Sequence, residues 1–220
     1  MSNEWDERVV PPALLDFVRR IQQVVPCRLA GGATLSGLHL RHRLSRDLDL
    51  FCDGREAVRE LLDAARSLAG QMGGELRLVR DGGSFVRGQL TVGLHRIALD
   101  IAHEPSKPIR PRDVVDGVTV DSLDDLRANK LTCLLSRAEP RDLVDLYFLD
   151  RANLAPEATL ASALEKDAGI DPAILSYLLQ SFPTEPLPEM LRPLTGAELV
   201  SFRGELAERF RRMALPDSDG

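Results

Sequence analysis

Arg46-Asp47-Leu48-Asp49-Leu50-Phe51 alternates charged and apolar residues with the two-residue period of a strand that buries one face. Side chains two apart project to the same side, so Asp47 and Asp49 share one face and Leu48 and Leu50 the other. Leu48 and Leu50 belong in a core. Two carboxylates fixed side by side repel, and burying them without compensation is costly. A divalent cation on that face removes the conflict. Magnesium takes carboxylate oxygens together with substrate phosphates, so the pair points to phosphoryl chemistry. The competing interpretation is a solvated pair on a polar strand face, the commoner fate of an aspartate.

A third acid carries the same pattern. In Ile97-Ala98-Leu99-Asp100-Ile101-Ala102 the apolar residues Ile97, Leu99 and Ile101 share one face. Asp100 lies on the other, between two small alanines that leave room around its carboxylate. Aspartate is a poor strand residue, so its recurrence at strand positions argues for chemistry. If this strand lies beside the Asp47 strand, Asp47, Asp49 and Asp100 supply the acids of a two-metal site. Upstream, Gly31-Gly32 stands between an extended segment, Arg28-Leu29-Ala30, and a helical stretch. Glycines there let backbone N–H groups approach a phosphate, and the helix start adds favourable partial charge. Thr34 or Ser36 offers a hydroxyl.

Around these residues the elements are legible. The spacing predicts helices over 12–25, 33–41 and 56–71, the last ending at Gly73-Gly74. Strands are predicted over 75–80, 84–92 and 95–102, with a short one over 118–120. The proline-rich stretch 105–111 reads as a loop. From Ser122-Leu123-Asp124-Asp125, a helix-start signature, the pattern turns helical: 123–137, 141–151, 156–168, 172–181 and 196–213. The tail 216–220 reads as disordered. A mixed α/β domain over 1–120 and a helical domain over 121–220 follow.

Composition sets limits on function. Hydrophobic residues make up 44% and charged residues 28% of 220, ordinary for a globular chain. No apolar run is long enough to span a bilayer. The acidic start, Met1 to Glu7, does not read as a signal peptide, so a cytoplasmic protein with no membrane partner is expected. Cys27, Cys52 and Cys133 are widely spaced and suggest neither a disulfide framework nor a zinc site. The net charge of −6 argues against a general nucleic-acid coat. Two basic groups, Arg41, His42, Arg43 and Arg46, and Arg209, Arg211 and Arg212, read as solvated faces.

The motif Leu29-Ala30-Gly31-Gly32, fourteen further residues, then Asp47-Leu48-Asp49-Leu50 resembles the signature of the polymerase-beta-like nucleotidyltransferase superfamily. The longer block through Arg43-Leu44-Ser45-Arg46-Asp47-Leu48-Asp49-Leu50-Phe51 is similar to the AbiEii/AbiGii toxin family of type IV toxin–antitoxin systems, the MenT-like toxins. Lys130 to Arg137, followed by Arg141-Asp142-Leu143-Val144-Asp145-Leu146, matches that family's downstream pattern. The resemblance covers roughly residues 27–150. It implies an α+β fold, a nucleotidyltransferase-like mixed sheet flanked by helices and followed by a helical C-terminal half.

The same resemblance implies roles. Asp47, Asp49 and Asp100 would ligate two Mg²⁺ ions, or Mn²⁺. Gly31, Gly32, Thr34, Ser45, Lys130 and Arg137 would contact an NTP. Asp142 or Asp145 would orient Lys130 or assist the acceptor. Ser45, two residues before Asp47, stands where some members are modified. Independently, Lys130 and Arg137 share one helix face, and Asp142 and Asp145 share one face of the next. The expected activity is a metal-dependent transfer of NMP from an NTP to an acceptor hydroxyl. The resemblance implies the tRNA 3′ end as acceptor and a cognate antitoxin as partner. The alternatives are nucleotidylation of a small molecule or a protein, a nucleotide-binding member without turnover, and a helical half that serves as a platform for an antitoxin.

Overall fold

A computed structural model of the chain describes residues 4–215. It forms two compact units, Met1–Ser122 and Leu123–Gly220. In the first, helix α1 (Pro12–Val24) buries Leu14, Phe17, Val18 and Ile21, the stripe that a 3.6-residue period places on one side. Pro12 opens it at a position where no N–H is needed. Strand β1 (Arg28–Ala30) leads into helix α2 (Gly31–Thr34), which runs without a break into a π-helical stretch, Leu35–Leu40. Arg41 closes that stretch in the left-handed region, with its N–H donating to Ser36 O five residues back. Strand β2 (Asp47–Cys52), helix α3 (Arg55–Gln71) and strands β3 (Glu75–Asp81), β4 (Phe85–Val92) and β5 (His95–His103) follow. Strands β6 (Asp113–Val115) and β7 (Val118–Val120) complete the unit.

The seven strands form one sheet in the order β3-β4-β5-β2-β1-β7-β6. It is mixed: β2 runs parallel to β5 and β1 parallel to β7, while the other neighbours are antiparallel. Helix α3 packs on β2, β4 and β5, and α1 packs on α3 and β7. The apolar set Leu48, Leu50, Leu99 and Ile101 is buried, as the alternation requires. The acids on the same strands therefore point to the opposite face. Cys27, Cys52 and Cys133 are free thiols, and burial with the nearby Cys52 pushes the Cys27 thiol up to about 12.

The second unit is helical: α4 (Leu123–Ser136), α5 (Pro140–Arg151), α6 (Leu160–Lys166), α7 (Pro172–Gln180) and α8 (Gly196–Ala214). The predicted helix over 156–168 begins as a 3-10 turn, Pro156–Thr159. Asp171 caps α7 by accepting from the N–H groups of Ala173 and Ile174. Thr195 and Glu198 close a capping box at α8. Each such cap contributes about 1 kcal/mol. Among the described residues no helix is long and apolar enough to cross a membrane. The tail expectation for 216–220 lies outside the described residues.

Candidate active site

Register brings the first set of acids together. Parallel pairing of β2 with β5 sets Asp49 opposite Asp100 and Asp47 opposite Ala98. Partners across a ladder point to the same side, so Asp47, Asp49 and Asp100 occupy one patch of one sheet face. The two alanines flanking Asp100 leave that patch open, as their small size predicts. Asp47 and Asp100 are each 7% exposed, and Asp49 is part-exposed.

Gly31 and Gly32 fit this patch for steric reasons. Gly31 has φ +64°, and a Cβ added there would stand 1.8 Å from Asp49 Oδ2. Only a residue without a side chain lets the backbone lie against that carboxylate. At Gly32 a Cβ would come within 2.6 Å of Arg43 Nη2 and 3.2 Å of Ser45 Oγ. Arg43 is only 2% exposed and fills the space that Gly32 leaves. Its N–H donates to Ser36 Oγ at 3.2 Å, and that hydroxyl donates back to Arg43 O at 2.5 Å. Its Nη1 donates to Leu44 O at 2.9 Å. The loop before β2 is thus tied to the helical run 31–40. Ser45 Oγ donates to Asp47 Oδ1 and to Asp47 O, each at 3.2 Å.

Two expectations change here. Thr34 and Ser36 are fully buried and their hydroxyls donate to Ala30 O and Arg43 O, so the structure brings neither to the carboxylate patch. The group Arg41, His42, Arg43 and Arg46 is not a solvated face, since His42 and Arg43 are buried. Arg209, Arg211 and Arg212 are each paired with acids, Arg209 with Asp150 and Glu157, the other two with Glu208.

One residue at the patch had no role in the sequence reading. Arg87, opposite Asp100 on β4, forks onto it, with Nε 2.6 Å from Oδ1 and Nη2 2.5 Å from Oδ2. Its signal in the sequence is only that it falls on the polar face of β4. Whether the patch suits Mg²⁺ or Mn²⁺ turns on this fork. The donor type is right, carboxylate oxygens on adjacent strands. Among the described residues no group of three or more His, Cys, Asp or Glu side chains stands ready as a cation cage. Asp100 has both oxygens bonded to Arg87.

The second set lies in the helical unit. Lys130 on α4 reaches Asp142 Oδ1 at 3.0 Å and Asp145 Oδ2 at 2.7 Å on α5. Arg137, two turns along the same face, donates to Asp142 from Nε at 2.8 Å and from Nη2 at 3.0 Å. Lys130 is 4% exposed and both acids are fully buried. Burial pushes the Asp142 carboxyl up, but the Lys130 charge and the Arg137 fork outweigh it and hold it below the usual range. Burial works against the Arg137 charge too, yet its bond to Asp142 holds the guanidinium above its ordinary value. Lys130 and the two carboxylates thus form a buried network, with the part-exposed Arg137 at its edge, and both Asp142 and Asp145 hold Lys130.

The family described as "Nucleotidyl transferase AbiEii toxin, Type IV TA system" matches residues 18–218. Among solved structures, MenT4, a nucleotidyltransferase toxin from Mycobacterium tuberculosis, superposes with a TM-score of 0.60 at 18% identity, over 92% of this chain and 82% of that one. A crystal structure of a putative nucleotidyltransferase from Helicobacter pylori gives 0.57 at 18% identity, over 91% and 92%. JHP933 from the same species gives 0.54 at 17%, over 91% and 90%. At such identities these structures speak to the fold. No curated protein matches the sequence.

Proposed function

The chain belongs to the AbiEii nucleotidyl transferase toxin family of type IV toxin–antitoxin systems, and on that premise we propose that it moves an NMP from an NTP onto an acceptor hydroxyl of RNA, the tRNA 3′ end, with release of pyrophosphate. The observation that carries the reading is the β2–β5 register, which gathers Asp47, Asp49 and Asp100 on one face with Gly31 packed against Asp49. Asp47, Asp49 and Asp100 would hold two Mg²⁺ ions, or Mn²⁺, whose Lewis acidity neutralises phosphate charge and lowers the pKa of the attacking hydroxyl.

The chain's own groups then have distinct tasks. Backbone N–H groups at Gly31 and Gly32 receive phosphate oxygens at the start of the helical run. Ser45 fixes the rotamer of Asp47. In the helical unit Asp142 and Asp145 hold Lys130, and Arg137 secures Asp142. The acceptor hydroxyl gives up its proton to solvent as its oxygen bonds to the α-phosphorus, the bond from that phosphorus to the bridging oxygen breaks, and pyrophosphate leaves with the electron pair. A cognate antitoxin is the partner the family implies, and the cytoplasm is the compartment that holds tRNA and NTPs.

The test is transfer of labelled nucleotide from each of the four NTPs to total RNA, with Asp47→Ala alongside. Label in RNA with the wild type, and none with the variant, is expected. Full transfer by Asp47→Ala contradicts the assignment. Label on a small hydroxyl compound or a protein, and none on RNA, replaces the acceptor with one of those classes.

A further inference from the structure

A cavity of about 560 Å³ opens beside the carboxylate patch, within the first unit. Ser45 and Ala98 form the shared wall: Ser45 bonds Asp47, and Ala98 is the register partner of Asp47. From there the lining changes character. Arg8, Arg46, His95 and Arg96 surround the space, and among the described residues no Asp or Glu lines it. That is unexpected in a chain of net charge −6. Most of its arginines are paired with acids or carbonyls. Arg8 forks onto Asp6. Arg46 and Arg96 are exposed and, among the described residues, neither side chain has a hydrogen bond or an ion pair.

Part of the lining belongs to the reactive face. Alternation along β5 puts Arg96, Ala98 and Asp100 on one side, so Arg96 stands about 13 Å up the strand from Asp100. Gln89 of β4, opposite Ala98, points the same way. The buried Val9 and Leu14, and Ile97 from the opposite side of β5, border it only marginally, and Leu94 projects fully exposed at the hairpin tip. Two exposed guanidiniums in a cavity with no acid in its lining suit the phosphates of a strand of nucleotides. A polyanionic strand drawn towards three carboxylates is repelled by them, and cations within a Debye length of that patch offset the repulsion.

We propose that this cavity binds the phosphodiester backbone of the acceptor strand just upstream of its reacting end, with Arg46 and Arg96 on the phosphates. The inference rests on the nucleotidyl-transfer reading for the direction of the strand, but its test does not depend on turnover. Binding of a short fluorescent single-stranded RNA to the full chain is followed by anisotropy across a salt series. The variants are Arg46→Ala/Arg96→Ala and the charge-conserving Arg46→Lys/Arg96→Lys. Loss of two phosphate contacts is expected to weaken binding about tenfold and to lower the slope of log K against log salt by about 1.4, with the lysine pair retaining the wild-type slope. Equal affinity and slope in the alanine pair, or no RNA binding by the wild type, overturns the proposal. A fall in affinity for a non-hydrolysable NTP in step with that for RNA also overturns it, because the cavity then holds the nucleotide. A wild type that transfers nucleotide without binding RNA refutes the cavity assignment alone. One that binds RNA here but transfers from none of the NTPs refutes the transfer reading alone.

Discussion

On the sheet, Asp47, Asp49 and Asp100 are collected by strand register at the margin of solvent, and a guanidinium 41% exposed, that of Arg87, forks onto one of them. Between α4 and α5, Asp142 and Asp145 receive Lys130 and are sealed from solvent, with Arg137 on Asp142. The first arrangement leaves Asp49 part-exposed and sets on Asp100 a guanidinium that itself reaches solvent. The second fixes each charge to its neighbour so tightly that exchange would strand a buried ion. Carboxylates on the sheet face are therefore expected to govern activity with little effect on stability. Carboxylates in the helical cluster govern stability and, through it, the position of Lys130.

The largest effect should come from opening the cluster. Asp142→Ala removes one of the two buried acids on Lys130 and the acid onto which Arg137 forks, and is expected to cost about 3 kcal/mol. Denaturant unfolding measures it, and a change under about 1 kcal/mol would erase the distinction between the two regions. Next is Gly31→Ala. Its methyl meets Asp49 Oδ2 at 1.8 Å and its φ of +64° suits no side chain, so the carboxylate or the helix start must move. A displacement of about 1 Å at a reacting centre costs about 10²-fold in rate, and the left-handed backbone adds about 1–2 kcal/mol of destabilisation. Transfer kinetics and a melt on the same sample separate the two parts.

Acid probes the cluster more gently. Asp142 titrates below its usual value in the folded chain, so near the unfolded value of about 3.9 the unfolded chain binds more protons. The stability this supplies is complete above that pH and is lost as pH falls through the folded value. The wild type should therefore lose stability on acidification more steeply than Asp142→Asn, as urea midpoints across an acid series will record. Parallel slopes would remove Asp142 from the account. The smallest effect is at Arg87. Its fork onto Asp100 is 41% exposed on the arginine side and is worth at most about 1 kcal/mol. Arg87→Ala should raise Mn²⁺ affinity by no more than about fivefold, and a weaker affinity would show that Arg87 supports the site.

Much of this was readable in the chain because local pattern decides local structure. Period-two alternation around Asp47 and Asp100 marks β2 and β5 and tells which face the acids take. The seven-residue spacing of Lys130 and Arg137 and the three-residue spacing of Asp142 and Asp145 place those groups on facing sides of two helices. What stayed hidden depends on non-local partners. Nothing within β2 or β5 states that they pair in parallel with Asp49 against Asp100. Arg87 looks like any polar strand residue until that register is known. Arg43, in a run of basic residues, has the sequence context of a solvated side chain, and it is buried because Gly32 leaves room for its guanidinium. Strand β6 has three residues at the sheet edge, paired only with β7, too short a run to show periodicity. The π-helical turn after Thr34 has no compositional mark at all.

The central claim is that the sheet face, and Asp49 in particular, is where the nucleotide reacts. The most direct measurement is pyrophosphate release by Asp49→Asn against the wild type, with melting temperatures taken on the same preparations. Asparagine keeps the shape beside Gly31 and removes the charge. The account predicts a rate lower on the order of 10³-fold, the scale for removing a group that stabilises developing charge, with a melting temperature within about 3 °C of the wild type. A variant that melts normally and releases pyrophosphate at the wild-type rate would contradict it.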